Sequence, residues 1–80
     1  MKIYDYNGLK NICGKRVRKG RRLRGMTQAD LAAKMQLAGV MLDRDSISRI
    51  ELGVRFVADY ELRALAQCLQ VPVDFLLKND

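Results

Sequence analysis

Apolar positions recur along this chain at three- and four-residue spacings, interrupted by glycines and by hydroxyl or carboxylate side chains. From Leu9 to Arg24, positions 9, 12, 13, 17, 20 and 23 share one arc of a helical wheel, which predicts an amphipathic helix ending at Gly25. Gly20 lies inside it, at a cost of about 1 kcal/mol relative to alanine, and close approach of a neighbouring helix would account for it. Thr27 then caps a second helix, TQADLAAKMQLA, with Asp30 three residues on as a short relative of the capping-box glutamate. Leu31, Ala32, Met35 and Ala38 form its buried stripe, and Gly39 stops it. Val40, Met41 and Leu42 link it to Asp43, which caps a third helix of about nine residues ended by Gly53. In the connection VRFVA, Phe56 and Val57 are expected to turn inward. A fourth helix runs from about Asp59 to Gln70, with Leu62, Leu65, Ala66 and Leu69 at core spacing. Val71–Pro72 ends it, and Pro72 opens a short fifth helix that sets Phe75, Leu76 and Leu77 against the core. No stretch alternates long enough for a sheet, so the predicted class is all-α: an arm over 1–8, in short extended form, and one helical domain over 9–78.

The third helix carries the first hint of chemistry. Ile47 and Ile50 fall together, whereas Asp45, Ser48, Arg49 and Leu52 occupy the opposite face, with Arg44 at the N-terminal end. Most polar helix faces simply meet water, and from this helix alone that is the favoured reading.

Charge changes the odds. Residues 1–26 hold nine basic residues against Asp5, a net of +8, whereas residues 27–80 hold six basic and eight acidic residues, a net of −2. Such polarity is the footprint of a polyanion binder, although a solvated basic helix gives the same count. An anionic membrane fits less well than nucleic acid because the apolar positions are committed to a core, and no apolar run approaches a membrane span. Eighty residues suffice for one small domain. Met1–Gly8 lacks the apolar region of a secretory signal, so a cytoplasmic location is expected. Cys13 and Cys68, with no histidine in the chain, are too few ligands for a metal site. They read as reduced apolar fillers, a disulfide being the minority alternative. Neither a cofactor loop nor an acid–base pair is apparent, so no enzymatic activity and no cofactor are expected.

Three ordered stretches, GKRVRKGRRLRGMTQADLAAKM, DSISRIELG and ELRALAQCLQVPVDFLL, resemble the Cro/CI-type (XRE-like) helix-turn-helix family of phage and bacterial repressors. The similarity covers roughly residues 12–77. It implies a compact five-helix bundle of the lambda-repressor-like type, whose third helix enters the major groove. By the motif match Arg44, Asp45, Ser48 and Arg49 are assigned to bases. Arginine is suited to guanine and aspartate to cytosine N4. Gln28 and Thr27, at the start of the second helix, and Ser46 are assigned to the sugar-phosphate backbone. Lys15, Arg16 and Arg55 are further backbone candidates, with Arg18, Arg22 and Arg24 also expected to be exposed. Arg21 and Glu51 match an ion pair tying the first helix to the third. The chain departs from the pattern in two places. Between Thr27 and Glu51 it is about five residues longer than usual, which lengthens the connection before the recognition helix, and Leu52 replaces a commonly polar residue.

The function implied is a sequence-specific regulator of transcription that binds double-stranded DNA, a repressor by preference, acting as a homodimer with polymerase or a toxin-like protein as a possible further partner. Phe56, Val57, Tyr60 and the Tyr4/Tyr6 arm are candidates for the dimer surface. The alternative is an antitoxin-like or accessory interaction module on the same fold, needing no base readout.

Overall fold

The structure, a computed structural model, describes residues 5–79; Ile3 and Tyr4 of the arm lie outside them. Five helices follow in order: α1 (Gly14–Leu23), α2 (Gln28–Leu37), α3 (Arg44–Leu52), α4 (Asp59–Leu69) and α5 (Val73–Leu77). Val17, Leu31, Met35, Leu42, Ile47, Ile50, Leu65, Leu69 and Leu76 are fully buried and form one core. α1 packs on α3, α4 and α5, and α2 packs on α3 and α4.

The local signals read from sequence have defined atomic counterparts. Thr27 accepts from the Asp30 amide at 3.0 Å while the Asp30 carboxylate accepts from the Thr27 amide at 2.9 Å, a complete capping box. Asp43 accepts from the Ser46 amide at 2.8 Å, and Gly53 closes α3 with φ +79°. Leu42 is buried in the lengthened connection, so the extra residues are anchored to the core rather than looped out.

Several expectations require correction. α1 begins at Gly14, not Leu9. The Asn11 side chain accepts from the Gly14 amide at 2.8 Å, and its Nδ2 donates to the carbonyls of Ile50 at 3.1 Å and Arg55 at 2.8 Å. Residues 6–9 instead turn back on themselves: Tyr6 and Leu9 exchange two backbone hydrogen bonds of 2.9 Å around Asn7 and Gly8, both at positive φ. That is a two-residue type I′ turn, for which Asn-Gly is the preferred sequence. Lys10 then donates its amide to the Gly53 carbonyl at 2.8 Å, pinning the turn to the end of α3. Leu9 and Ile12 therefore leave the predicted apolar arc and are exposed, and Leu23, in the last turn of α1, is exposed as well. Ala38 is also exposed because α2 has ended. Phe56 points outward beneath Lys10, whose Nζ lies 5.2 Å from its ring centre, and Leu77 is exposed while Leu76 fills the core. Cys13 and Cys68 are separate thiols, so the disulfide alternative is not realised.

Candidate nucleic-acid interface

α3 displays one polar face. Ile47 and Ile50 are buried, whereas Arg44, Asp45 and Arg49 are exposed and Ser46 and Ser48 half-buried. Leu52, at the centre of the outward arc in the last turn, is 68% exposed, so it is not packed under the following loop.

The orientation of that face is set from behind by Glu51. Its carboxylate accepts from Arg21 Nε at 2.7 Å, from a terminal nitrogen of Arg21 at 3.0 Å and from Gln28 Nε2 at 3.1 Å. The Arg21 and Glu51 side chains are 11% and 4% exposed, and Arg21 also donates to the Met26 carbonyl at 2.9 Å. The hydrogen bonds to Glu51, opposed by partial burial, raise the Arg21 pKa above its ordinary value. A single carboxylate thus joins α1, the start of α2 and α3. Gln28, assigned to the sugar-phosphate backbone, braces this cluster in the structure. A second constraint is steric: a Cβ at Gly14 would overlap the Ile50 carbonyl oxygen and lie 3.0 Å from that of Glu51, so only glycine lets α1 rest on the end of α3.

The basic residues separate into two groups. Arg16 is 5% exposed, donates to the Phe75 carbonyl at 2.8 Å and stacks 4.0 Å from the Phe75 ring centre. It faces α5, and its assignment to phosphate is withdrawn. Arg24 closes α4 instead, donating to the carbonyls of Leu69 and Gln70 at 2.8 Å. Arg55 is turned onto Glu61, with contacts of 3.1 and 3.3 Å, and onto the Phe56 carbonyl at 2.7 Å. Its charge is spent within the fold, so Arg55 too is withdrawn as a leading phosphate contact. Burial would raise the Glu61 pKa, but Arg55 and the Ala58 amide outweigh it and hold the carboxyl below its usual range. Lys15, Arg18 and Arg22 remain exposed on α1, as does Lys19.

Sequence reasoning missed Asn11, whose bonds to Ile50 and Arg55 join segments 39 and 44 residues away. No local pattern points to such a bond, whereas the neighbouring Asn7-Gly8 pair was a readable turn signal. Among the described residues, no group of three His, Cys, Asp or Glu side chains could hold a metal ion, and no helix is long and apolar enough to cross a membrane.

A helix-turn-helix family model matches residues 17–76. The P22 c2 repressor, solved in complex with a synthetic operator, superposes with a TM-score of 0.71 at 31% identity, covering 88% of this chain and 98% of that one. The restriction-modification controller protein C.AhdI from Aeromonas hydrophila gives 0.66 at 30% identity, covering 79% and 84% respectively. No curated relative matches the chain. With the family model spanning most of the domain and a polar α3 face held outward from the bundle, the chain belongs to the XRE-type helix-turn-helix family and is a DNA-binding transcriptional regulator.

Proposed function

We propose that the protein is an operator-binding repressor that reads the major groove as a homodimer, with α3 as its recognition helix. The observation that carries this reading is the outward face of α3, with Arg44, Asp45, Ser48 and Arg49 held by the Arg21–Glu51–Gln28 cluster. Arg44 and Arg49 suit guanine O6 and N7, and Asp45 suits cytosine N4. Leu52 offers an apolar contact for a thymine methyl. Ser46, Thr27, Gln28 and Lys15 meet the backbone. At the start of α2 the capping box uses the Asp30 amide, leaving the amides of Gln28 and Ala29 for a phosphate. Repression is supported by the likeness to P22 c2 along nearly all of that chain. The reading is of a cytoplasmic protein that binds without catalysing a reaction. A two-fold dimer would place half-sites about 34–36 Å apart.

The test is selection of duplexes from a random pool near physiological salt, comparing wild type with Arg49→Ala. A two-fold motif, relaxed by the variant at one position per half-site, is expected, with a loss of about 1–3 kcal/mol there. Identical motifs from both proteins would remove Arg49 from base readout, and asymmetric single sites would remove the dimer.

A further inference from the structure

On α1, Lys15, Arg18, Lys19 and Arg22 occupy positions i, i+3, i+4 and i+7 and are all exposed. They lie opposite Val17 and Gly20, which face the core. Among the described residues none of the four has a carboxylate at ion-pair distance, in contrast to Arg21 and Arg55. The helix itself carries no acidic residue, so Lys15–Arg18, Lys15–Lys19, Arg18–Arg22 and Lys19–Arg22 are like-charge neighbours that oppose its formation. Local stability therefore gives no reason for the stripe.

Its position does. Lys15 lines the cleft beside Glu51 and Leu52, at the end of α3, and also the crevice formed by Arg18, Lys19, Arg22 and Leu23. Lys15 thus connects the end of α3 with the outer side of α1.

We propose that this side of α1 is a second, sequence-blind DNA site, taking phosphates of the duplex that flanks the base pairs read by α3. The inference rests on the reading of α3 as the recognition helix. The stripe extends over about 10 Å of helix axis, and a duplex presents roughly one phosphate charge per 1.7 Å. A line of point charges matches that evenly spaced polyanion. An acidic protein partner would call for a buried apolar or aromatic anchor at the centre of the face, whereas Leu23 borders this one at its end.

The experiment compares two duplexes: the shortest that retains full sequence preference, and the same duplex extended by about one helical turn, ~10 base pairs, on each side. The proteins are wild type, Arg18→Gln/Lys19→Gln/Arg22→Gln, and a control, Lys34→Gln/Arg63→Gln, that removes exposed charge from α2 and α4. For wild type bound as the proposed homodimer, the affinity ratio of long to short duplex should rise roughly 2,000-fold between 200 and 50 mM salt, as six released counterions, three from each protomer, require. The triple variant should bind the short duplex like wild type but show a nearly constant ratio, and the control should keep the rise. Equal loss of affinity on both duplexes, loss of the rise in the control, a triple variant whose ratio still rises as in wild type, or no rise in wild type would overturn the proposal; the last is the outcome an acidic protein partner predicts. Failure of the α3 reading would show separately, as an Arg49→Ala protein indistinguishable from wild type on the short duplex.

Discussion

Glu51 is the residue through which α3 is oriented, because three side-chain donors from two other helices converge on its carboxylate. A pair this buried has little net value against an apolar replacement, yet removing one partner strands the other. Arg21→Met and Glu51→Leu should each cost about 3 kcal/mol in denaturant unfolding, and the double variant clearly less than their sum. Additive losses would mean that the two side chains do not act as a pair. Both single variants should also weaken operator binding. Gly14 acts on the same helix by its absence of bulk. Gly14→Ala must push the α1 backbone off the Ile50 and Glu51 carbonyls, with a predicted loss of about 1–3 kcal/mol. Gly20→Ala tests the opposite case. A Cβ there would lie 3.4 Å from Leu69 and Phe75 atoms, an ordinary contact, so the gain in helix propensity should leave stability unchanged or raised. The close approach inferred for Gly20 from the sequence thus belongs, in its strict form, to Gly14.

Among the elements, the lengthened connection and the N-terminal turn both hold α3, at opposite ends. At one end Leu42 is buried ahead of the Asp43 cap, and Leu42→Ala should cost about 2–5 kcal/mol as a core truncation. At the other, the Asn7–Gly8 turn and Asn11 join the chain before α1 to Gly53, Ile50 and Arg55. Asn11→Ala removes three hydrogen bonds to the backbone and one from the Cys13 thiol, and a loss of about 2 kcal/mol by urea unfolding is predicted. An unchanged midpoint would show that water replaces the side chain at no cost. The extents of α2 to α5 were legible because capping residues, glycines and Pro72 act within a turn of where they stand. The start of α1 was not. Leu9 and Ile12 fit a helical period, but the hydrogen bonds that hold residues 10 and 11 reach Ile50, Gly53 and Arg55, at the end of α3 and just beyond it, which no window on α1 contains.

For the molecule as a whole, acid stability follows from the carboxylates. Hydrogen bonds from the Thr27 and Ser46 amides, respectively, hold the exposed Asp30 and Asp43 below the usual 3.8, and Arg55 and the Ala58 amide outweigh burial to hold Glu61 below 4.5. Depressed values add stability that is present above the unfolded pKa and lost as pH falls through the folded one. With no histidine in the chain, the melting temperature should be nearly flat from pH 8 to 6 and fall below about pH 4.5. Glu61→Gln should melt lower at neutral pH and lose part of the acid dependence. An unchanged acid slope would detach Glu61 from it. The alkaline side has the opposite sign: burial pushes Cys13 from 9.0 to about 11, partly offset by a backbone hydrogen bond, so its contribution is full below pH 9 and lost as pH rises through about 11. Cys13→Ala should flatten that limb.

The sequence by itself determined the helical class, the caps of α2 and α3, the buried Ile47 and Ile50, and the excess of positive charge in the first third, because periodicity, capping chemistry and charge are local properties. The resemblance of three ordered motifs added the family and the pairing of Arg21 with Glu51. Only the tertiary structure decided which arginines are left without a partner inside the fold. Arg16 and Arg24 look interchangeable with Arg18 and Arg22 in the sequence, but each meets carbonyls or a ring supplied by a segment 45 or more residues away, while Arg55 turns onto Glu61, six residues on. Whether a cation is spent inside the fold or left at its surface depends on what packing brings beside it, and that information is not carried by its own stretch of chain.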